Sequence, residues 1–164
     1  MKTYWKFLLF CIIALGATSC GTCEEEQVLQ KVNDLFVETD NRNWPAVQAV
    51  FDDSVVFDVT SMAGGKPQNL KPSDITGAWD QGLKKLKAIH HQTGNFKVKV
   101  TGNEATVFCY GTAHHYLPTK TGRNTRTFVG SYDFKLVKKK YWKISSFKFN
   151  LKFIDGNPNL EKET

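Results

Sequence analysis

Apolar positions recur along this chain with two different periods, and the change from one to the other divides it. From Glu25 to Thr39, the residues Val28, Leu29, Val32, Leu35 and Phe36 fall three and four apart, the spacing of an amphipathic helix. Asp40-Asn41-Arg42-Asn43 breaks the pattern. A second short helix is predicted next, capped by Asn43, with Pro45 in its first turn and Trp44, Val47, Val50 and Phe51 buried. Ser54 to Val59 reads as a strand, and 61–71, rich in Gly and Pro, as a loop. Ser73 then caps a third helix whose Ile75, Trp79, Leu83 and Leu86 share one face.

Beyond His91 the period becomes two. Phe96-Lys97-Val98-Lys99-Val100 alternates apolar and basic residues, and Thr101-Gly102-Asn103-Glu104 supplies a tight reversal. The returning arm, Ala105 to Tyr116, carries Ala105, Val107, Cys109, Gly111, Ala113 and His115 on one face and bulkier residues on the other. A face of small side chains that ends in an imidazole suggests a pocket. Thr125 to Val137, with Gly130, Tyr132, Phe134 and Leu136 on one face, and Tyr141 to Phe149 complete the long strands. Helices followed by a run of long antiparallel strands predict an α+β fold, with the helices packed on one face of a curved, mixed but mostly antiparallel sheet.

The first nineteen residues stand apart from this pattern. Lys2 and Lys6 precede the apolar run Phe7 to Leu15, and Gly16-Ala17-Thr18-Ser19 leads into Cys20. That is an export signal, too short for a comfortable membrane span. Cys20 after small residues resembles the lipidation site of bacterial lipoproteins, with Ala17 where an aliphatic residue is usual. Plain secretion with cleavage near Ser19 is the alternative. The organisation expected is a signal over 1–19, a tether over 20–26, one domain over 27–157 and a flexible tail over 158–164. Glu24-Glu25-Glu26 reads first as a complement to the helix dipole, with a surface-export tag as the alternative. Of the net charge of +6, Lys2 and Lys6 belong to the signal, and most of the remaining excess lies on late strands at Lys135, Lys138, Lys139, Lys140, Lys143, Lys148 and Lys152. A solvated outer face is the first reading of that cluster, and a contact with anionic lipid head groups the second. Nucleic acid is excluded as a partner by the export signal.

Several short patterns stand in an informative order. They are Asp40-Asn41-Arg42-Asn43-Trp44, His91-Gln92-Thr93-Gly94-Asn95, Gly102-Asn103-Glu104-Ala105, Gly130-Ser131-Tyr132-Asp133 and Trp142-Lys143-Ile144. Together they resemble the SnoaL-like branch of the nuclear transport factor 2-like superfamily, over about Glu25 to Asn157. The resemblance implies a cone whose helices close one side of a bent sheet around an apolar pocket. A thinner likeness to the scytalone dehydratases implies an acid–base set of Asp40, His91 and His115. Both tyrosine positions of that family are lost here, to Thr39 and Val59.

An imidazole beside a carboxylate keeps one tautomer and can exchange a proton near neutral pH. Asp40 could equally serve only as a helix cap, and the histidines as satisfied strand ends. Asp58, Trp79, Cys109 and Tyr132 are the candidate ligand-contacting residues, while His90 and His114, on the other parity, read as bystanders. Two histidines and a carboxylate could hold zinc, but no metal-type spacing supports it, and no cofactor is expected. Two function classes stay open. The first is an envelope lipoprotein that binds a small apolar molecule in its cone or dimerises through its sheet. The second is a cofactor-independent lyase or isomerase built on Asp40, His91 and His115. The lost tyrosines and the lipid anchor favour binding.

Overall fold

The computed structural model describes residues 19–163, with side chains from Cys23 onward. The expected signal therefore lies outside the described residues except for Ser19, as does the side chain of Cys20. Four helices and a six-stranded mixed sheet make up the described chain. Helix α1 (Ser19–Asp40) is followed by α2 (Trp44–Val50), β1 (Phe51–Asp58), α3 (Thr60–Ala63), β2 (Gln68–Leu70) and α4 (Pro72–Leu83). Four long strands follow: β3 (Ala88–Thr101), β4 (Glu104–Tyr116), β5 (Thr125–Lys138) and β6 (Trp142–Gly156). The sheet order is β2-β1-β6-β5-β4-β3, with β1 parallel to β6 and every other pair antiparallel. The sheet is open, so β3 is an edge strand.

Helix α1 buries Val28, Val32, Leu35 and Phe36, the stripe its sequence period predicts, against the inner face of the sheet. That inner face carries Ala105, Val107 and Cys109 from β4, Tyr132, Phe134 and Leu136 from β5, and Ile144, Phe147 and Phe149 from β6. The expected parities of β4 and β5 are therefore those observed. The small side chains of β4 accommodate rings from neighbouring elements: a methyl group added at Gly111 would overlap the Tyr132 ring.

Several boundaries differ from the sequence expectation. Residues 20–26, expected as a tether, are the first turns of α1, because the Glu24 carboxylate is docked on the domain. It accepts hydrogen bonds from Lys138 Nζ at 2.6 Å and from the Trp142 indole at 2.7 Å. Helix α4 is capped at Lys71, not Ser73: Asp74 accepts the Lys71 backbone N–H, and Pro72 opens the helix. Asn43 precedes α2 but makes no side-chain cap, its amide going to Glu38. The loop 61–71 contains α3 and β2. The tail 158–164, expected as flexible, holds a 3-10 turn (Leu160–Lys162). Leu160 is fully buried with Leu86 and Ile89, and Glu161 pairs with Arg126. One apolar anchor and one ion pair tie down a segment whose composition alone reads as polar.

Strand β3 begins eight residues earlier than its alternation suggests. A bulge between Gly94 and Lys97, with Asn95 in the left-handed region at φ 57°, shifts the parity within the strand. His91 and, beyond the bulge, Val98 can thus both face inward, paired beside Ala113 and with Val107.

Candidate active site

Asp40 is the last residue of α1, and the following turn holds it in place. Arg42, at φ 55°, donates from Nη2 to the backbone carbonyls of Leu86 at 2.7 Å and Leu83 at 3.3 Å, fastening the α1–α2 corner to the end of α4. The Asp40 carboxylate then reaches the open edge of β3. Its Oδ2 accepts the His91 backbone N–H at 2.8 Å, a donor that no further strand among the described residues is there to receive. Its Oδ1 lies 2.6 Å from His91 Nδ1. A carboxylate only accepts, so the proton of the neutral His91 ring is on Nδ1 and its free lone pair is on Nε2. The His91 side chain is 13% exposed and packs on Phe36, with ring centroids 5.1 Å apart.

His115 lies on the same face. Because His91 pairs with Ala113 and Ile89 with His115, the two histidines are diagonal neighbours across β3 and β4, about 7–8 Å apart at the backbone. Arg126, the register partner of His115 on β5, makes a long contact from Nη2 to His115 Nδ1 at 3.4 Å. A guanidinium only donates, so His115 Nδ1 carries the lone pair and Nε2 the hydrogen. Burial first, then the charges of Arg126 and His91, pull the His115 pKa down to about 4, with Glu161 and Asp40 opposing. His115 is therefore neutral at physiological pH. Glu161 holds Arg126 from the other side, its Oε2 2.9 Å from Nη1 and its Oε1 on Nη2. The two imidazoles thus present opposite tautomers: His91 offers a base and His115 an N–H donor.

Of the candidate ligand-contacting residues, Tyr132 lies beside this pair, and the other three do not gather at it. Trp79 stands at the far end of a series of rings, packed on Phe51, Phe57 and Phe147. Phe147 continues to Tyr132, and Tyr132 to Phe36 and so to His91. Tyr132 is buried beside the site, and burial raises its phenol pKa. Cys109 is fully buried in the core, and burial, followed by the Asp133 charge, pushes its thiol to about 12. Asp58 sits at the β1–α3 corner, where its Oδ1 accepts the Thr60 backbone N–H and hydroxyl at 3.0 and 2.7 Å. Those bonds lower its pKa and suit a turn-forming carboxylate.

Two contributors were not singled out from sequence. Arg126 belongs to the inward parity that Gly130, Tyr132, Phe134 and Leu136 define, so extending that alternation back along β5 would have found it. Glu161 had no such signal, because its place depends on Leu160 closing the domain. His90, read as a bystander, is exposed on the outer side with its Nδ1 3.7 Å from Asp40 Oδ2.

A family model described as a SnoaL-like domain matches residues 22–148. The chain belongs to the SnoaL-like domain family. Solved structures agree on the fold. The Kfla4162 protein from Kribbella flavida is similar with a TM-score of 0.80 at 22% identity, over 86% of this chain and 98% of that one. A putative scytalone dehydratase from Novosphingobium aromaticivorans gives 0.72 at 15% identity, over 83% and 89%. The hexachlorocyclohexane dehydrochlorinase LinA-type3 from Novosphingobium barchaimii gives 0.69 at 11% identity, over 84% and 92%. No functionally curated protein sequence matches the chain significantly. This SnoaL-like domain thus has the nuclear transport factor 2-like fold shared by those neighbours.

Proposed function

We propose that this SnoaL-like domain is a cofactor-independent lyase or isomerase acting on a small, largely apolar carbonyl compound. The observation that carries the reading is the doubly bonded Asp40–His91 pair, which fixes the imidazole with Nε2 free. His91 Nε2 takes a proton from the carbon next to the carbonyl. The C–H electron pair moves into a new C=C bond, and the carbonyl oxygen gains negative charge. His115 Nε2–H donates a hydrogen bond to that oxygen, and as a neutral ring it stabilises charge without surrendering its proton. The His91 imidazolium then returns its proton, either to a departing hydroxyl in an elimination or to another carbon in an isomerisation. Asp40 faces the imidazolium while it exists. Two structural neighbours are named as a dehydratase and a dehydrochlorinase, both eliminations, which supports the same class. The geometry thus favours the catalytic alternative over binding alone.

The test is proton exchange in deuterium oxide. A panel of cyclic ketones and β-hydroxy ketones is incubated with the protein and followed by mass spectrometry. Deuterium uptake or loss of water above the buffer rate, abolished in His91→Gln, is the expected result. Equal rates for the wild type and His91→Gln across the panel would leave a binding module.

The basic start, apolar run and small residues that lead into Cys20 support a second part of the proposal, that the chain is exported and held at the cell envelope by lipid on Cys20. Cells expressing the wild type should incorporate a radiolabelled fatty acid into the protein, and Cys20→Ala should not. Equal label in both would remove the anchor from the proposal.

A further inference from the structure

Among the described residues, the helices cover one face of the sheet and leave the other open. On that outer face, the registers of β3, β4, β5 and β6 align side chains into transverse rows. One row runs Lys99, Thr106, Lys135, Ser146, and the next runs Lys97, Phe108, Asp133, Lys148. A third places Tyr110 beside Ser131 and Asn150. The first two rows border a groove of about 380 Å³, whose sides hold Lys97, Lys99, Lys135 and Lys148, with Phe108 between them. Within these rows four lysines face a single carboxylate, and Asp133 is already engaged by the Asn150 amide at 2.7 Å. Lys148 lies 3.6 Å from Asp58 and is 45% exposed. Lys152 adds a fifth cation, its Nζ 4.3 Å above the Tyr110 ring, and Tyr110 packs edge-on against Phe108. The groove spans three strand spacings, about 14 Å. It lies on the opposite side of the sheet from the Asp40–His91 pair.

We propose that this face docks a linear acidic polysaccharide. Its carboxylate or sulfate groups meet the lysine margins, and the C–H face of a sugar ring rests on Phe108. Thr106 and Ser146, which line the groove, supply hydroxyls for the sugar's own hydroxyls. The other occupants fit less well. A second copy would bring another lysine-lined face against this one, and like charges repel. A flat bilayer meets a twisted sheet along one diagonal only, whereas a linear chain follows the groove. Stacking along a nucleic-acid strand needs a series of open ring faces, and this groove offers Phe108 alone, the Lys152 ammonium lying over Tyr110.

The purified protein is titrated calorimetrically with an oligogalacturonate of defined length. The comparison titrants are a neutral dextran oligomer, a single-stranded oligodeoxynucleotide and vesicles containing phosphatidylglycerol. Binding of the oligogalacturonate that weakens with salt, with none to dextran, is expected. The double reversal Lys97→Glu/Lys135→Glu should cut affinity by about tenfold or more, as removal of charge complementarity does. Lys85→Glu, an exposed charge just beyond α4, should leave it unchanged. Thermal unfolding of each variant shows that the fold is intact. No binding of the oligogalacturonate, or binding indifferent to the double reversal, overturns the proposal. Tighter binding of the oligonucleotide or the vesicles overturns it as well, as does a concentration-dependent dimer that the same reversal abolishes.

Discussion

A carboxylate that accepts two hydrogen bonds from one residue fixes both the backbone and the ring of that residue, and Asp40 does this for His91. Asp40→Asn keeps the size but places a donor where the ring needs an acceptor, so the ring should turn or change tautomer. Nitrogen NMR should show the His91 hydrogen on Nδ1 in the wild type and a different tautomer or mixture in Asp40→Asn. Any proton-abstraction activity should fall by roughly 10²–10⁴-fold, the usual worth of a positioned base. A second expectation concerns the pair of imidazoles. The His91 charge is one of the influences that lower the His115 pKa, so His91→Gln should raise the His115 titration, though burial keeps it below the ordinary value. His90→Gln should leave it in place. If both variants leave His115 unmoved, the two inner histidines do not share a site. At this scale β4 parity pointed to His115, while Asp40 and His91 came from the family resemblance, since the bulge in β3 hides the parity of His91. The sequence was uninformative about Glu161, which depends on a tertiary closure. It was misleading about Asp58, whose carboxylate serves a turn.

The elements show where local pattern decides and where packing does. Helix α1 and the inner faces of β4 and β5 follow their periodicity, since each must bury one apolar stripe or face. The start of β3 does not, because the bulge at Gly94–Lys97 changes which parity faces inward. The short segments α3 and β2 escaped notice for another reason: four and three residues carry too little pattern to be read. Two glycines allow a graded test of the sheet's packing. At Gly111 an added methyl meets the Tyr132 ring, so Gly111→Ala should destabilise the fold by about 1–3 kcal/mol, an overpacking cost. At Gly130, beside the β5–β6 bulge, the methyl meets the Asn150 carbonyl as well as the Phe149 ring. A ring can tilt, but a carbonyl in the ladder cannot move without breaking pairing. Gly130→Ala should therefore cost more than Gly111→Ala in denaturant unfolding. The reverse order would mean that the bulge is more pliant than the aromatic core.

For the whole molecule, the buried neutral His115 couples stability to pH in a defined direction. Its folded pKa of about 4 lies below the ordinary 6.5 expected of the unfolded chain. Between those values the unfolded chain holds a proton that the folded one refuses, so stability rises with pH there and is lost on acidification. Above about pH 6.5 neither state is protonated at this site and the contribution is flat. Each pH unit within the window is worth about 1.4 kcal/mol, so the whole window amounts to on the order of 3 kcal/mol. The lowered carboxylates have ordinary values of 4.5 for Glu161 and 3.8 for Asp58, so their losses come mainly at lower pH. The interval from pH 7 to 5 therefore lies above those carboxylates, and the comparison with a His115 variant separates this histidine from the other three. Urea unfolding of the wild type should show stability falling across that interval, and His115→Gln should flatten the slope even if its stability at pH 7 is lower. The slope, being a difference in proton uptake, separates titration from a simple packing defect. A slope identical in wild type and variant would mean that His115 is as accessible to protons in the folded protein as in the unfolded one, and its role as a neutral N–H donor would fall.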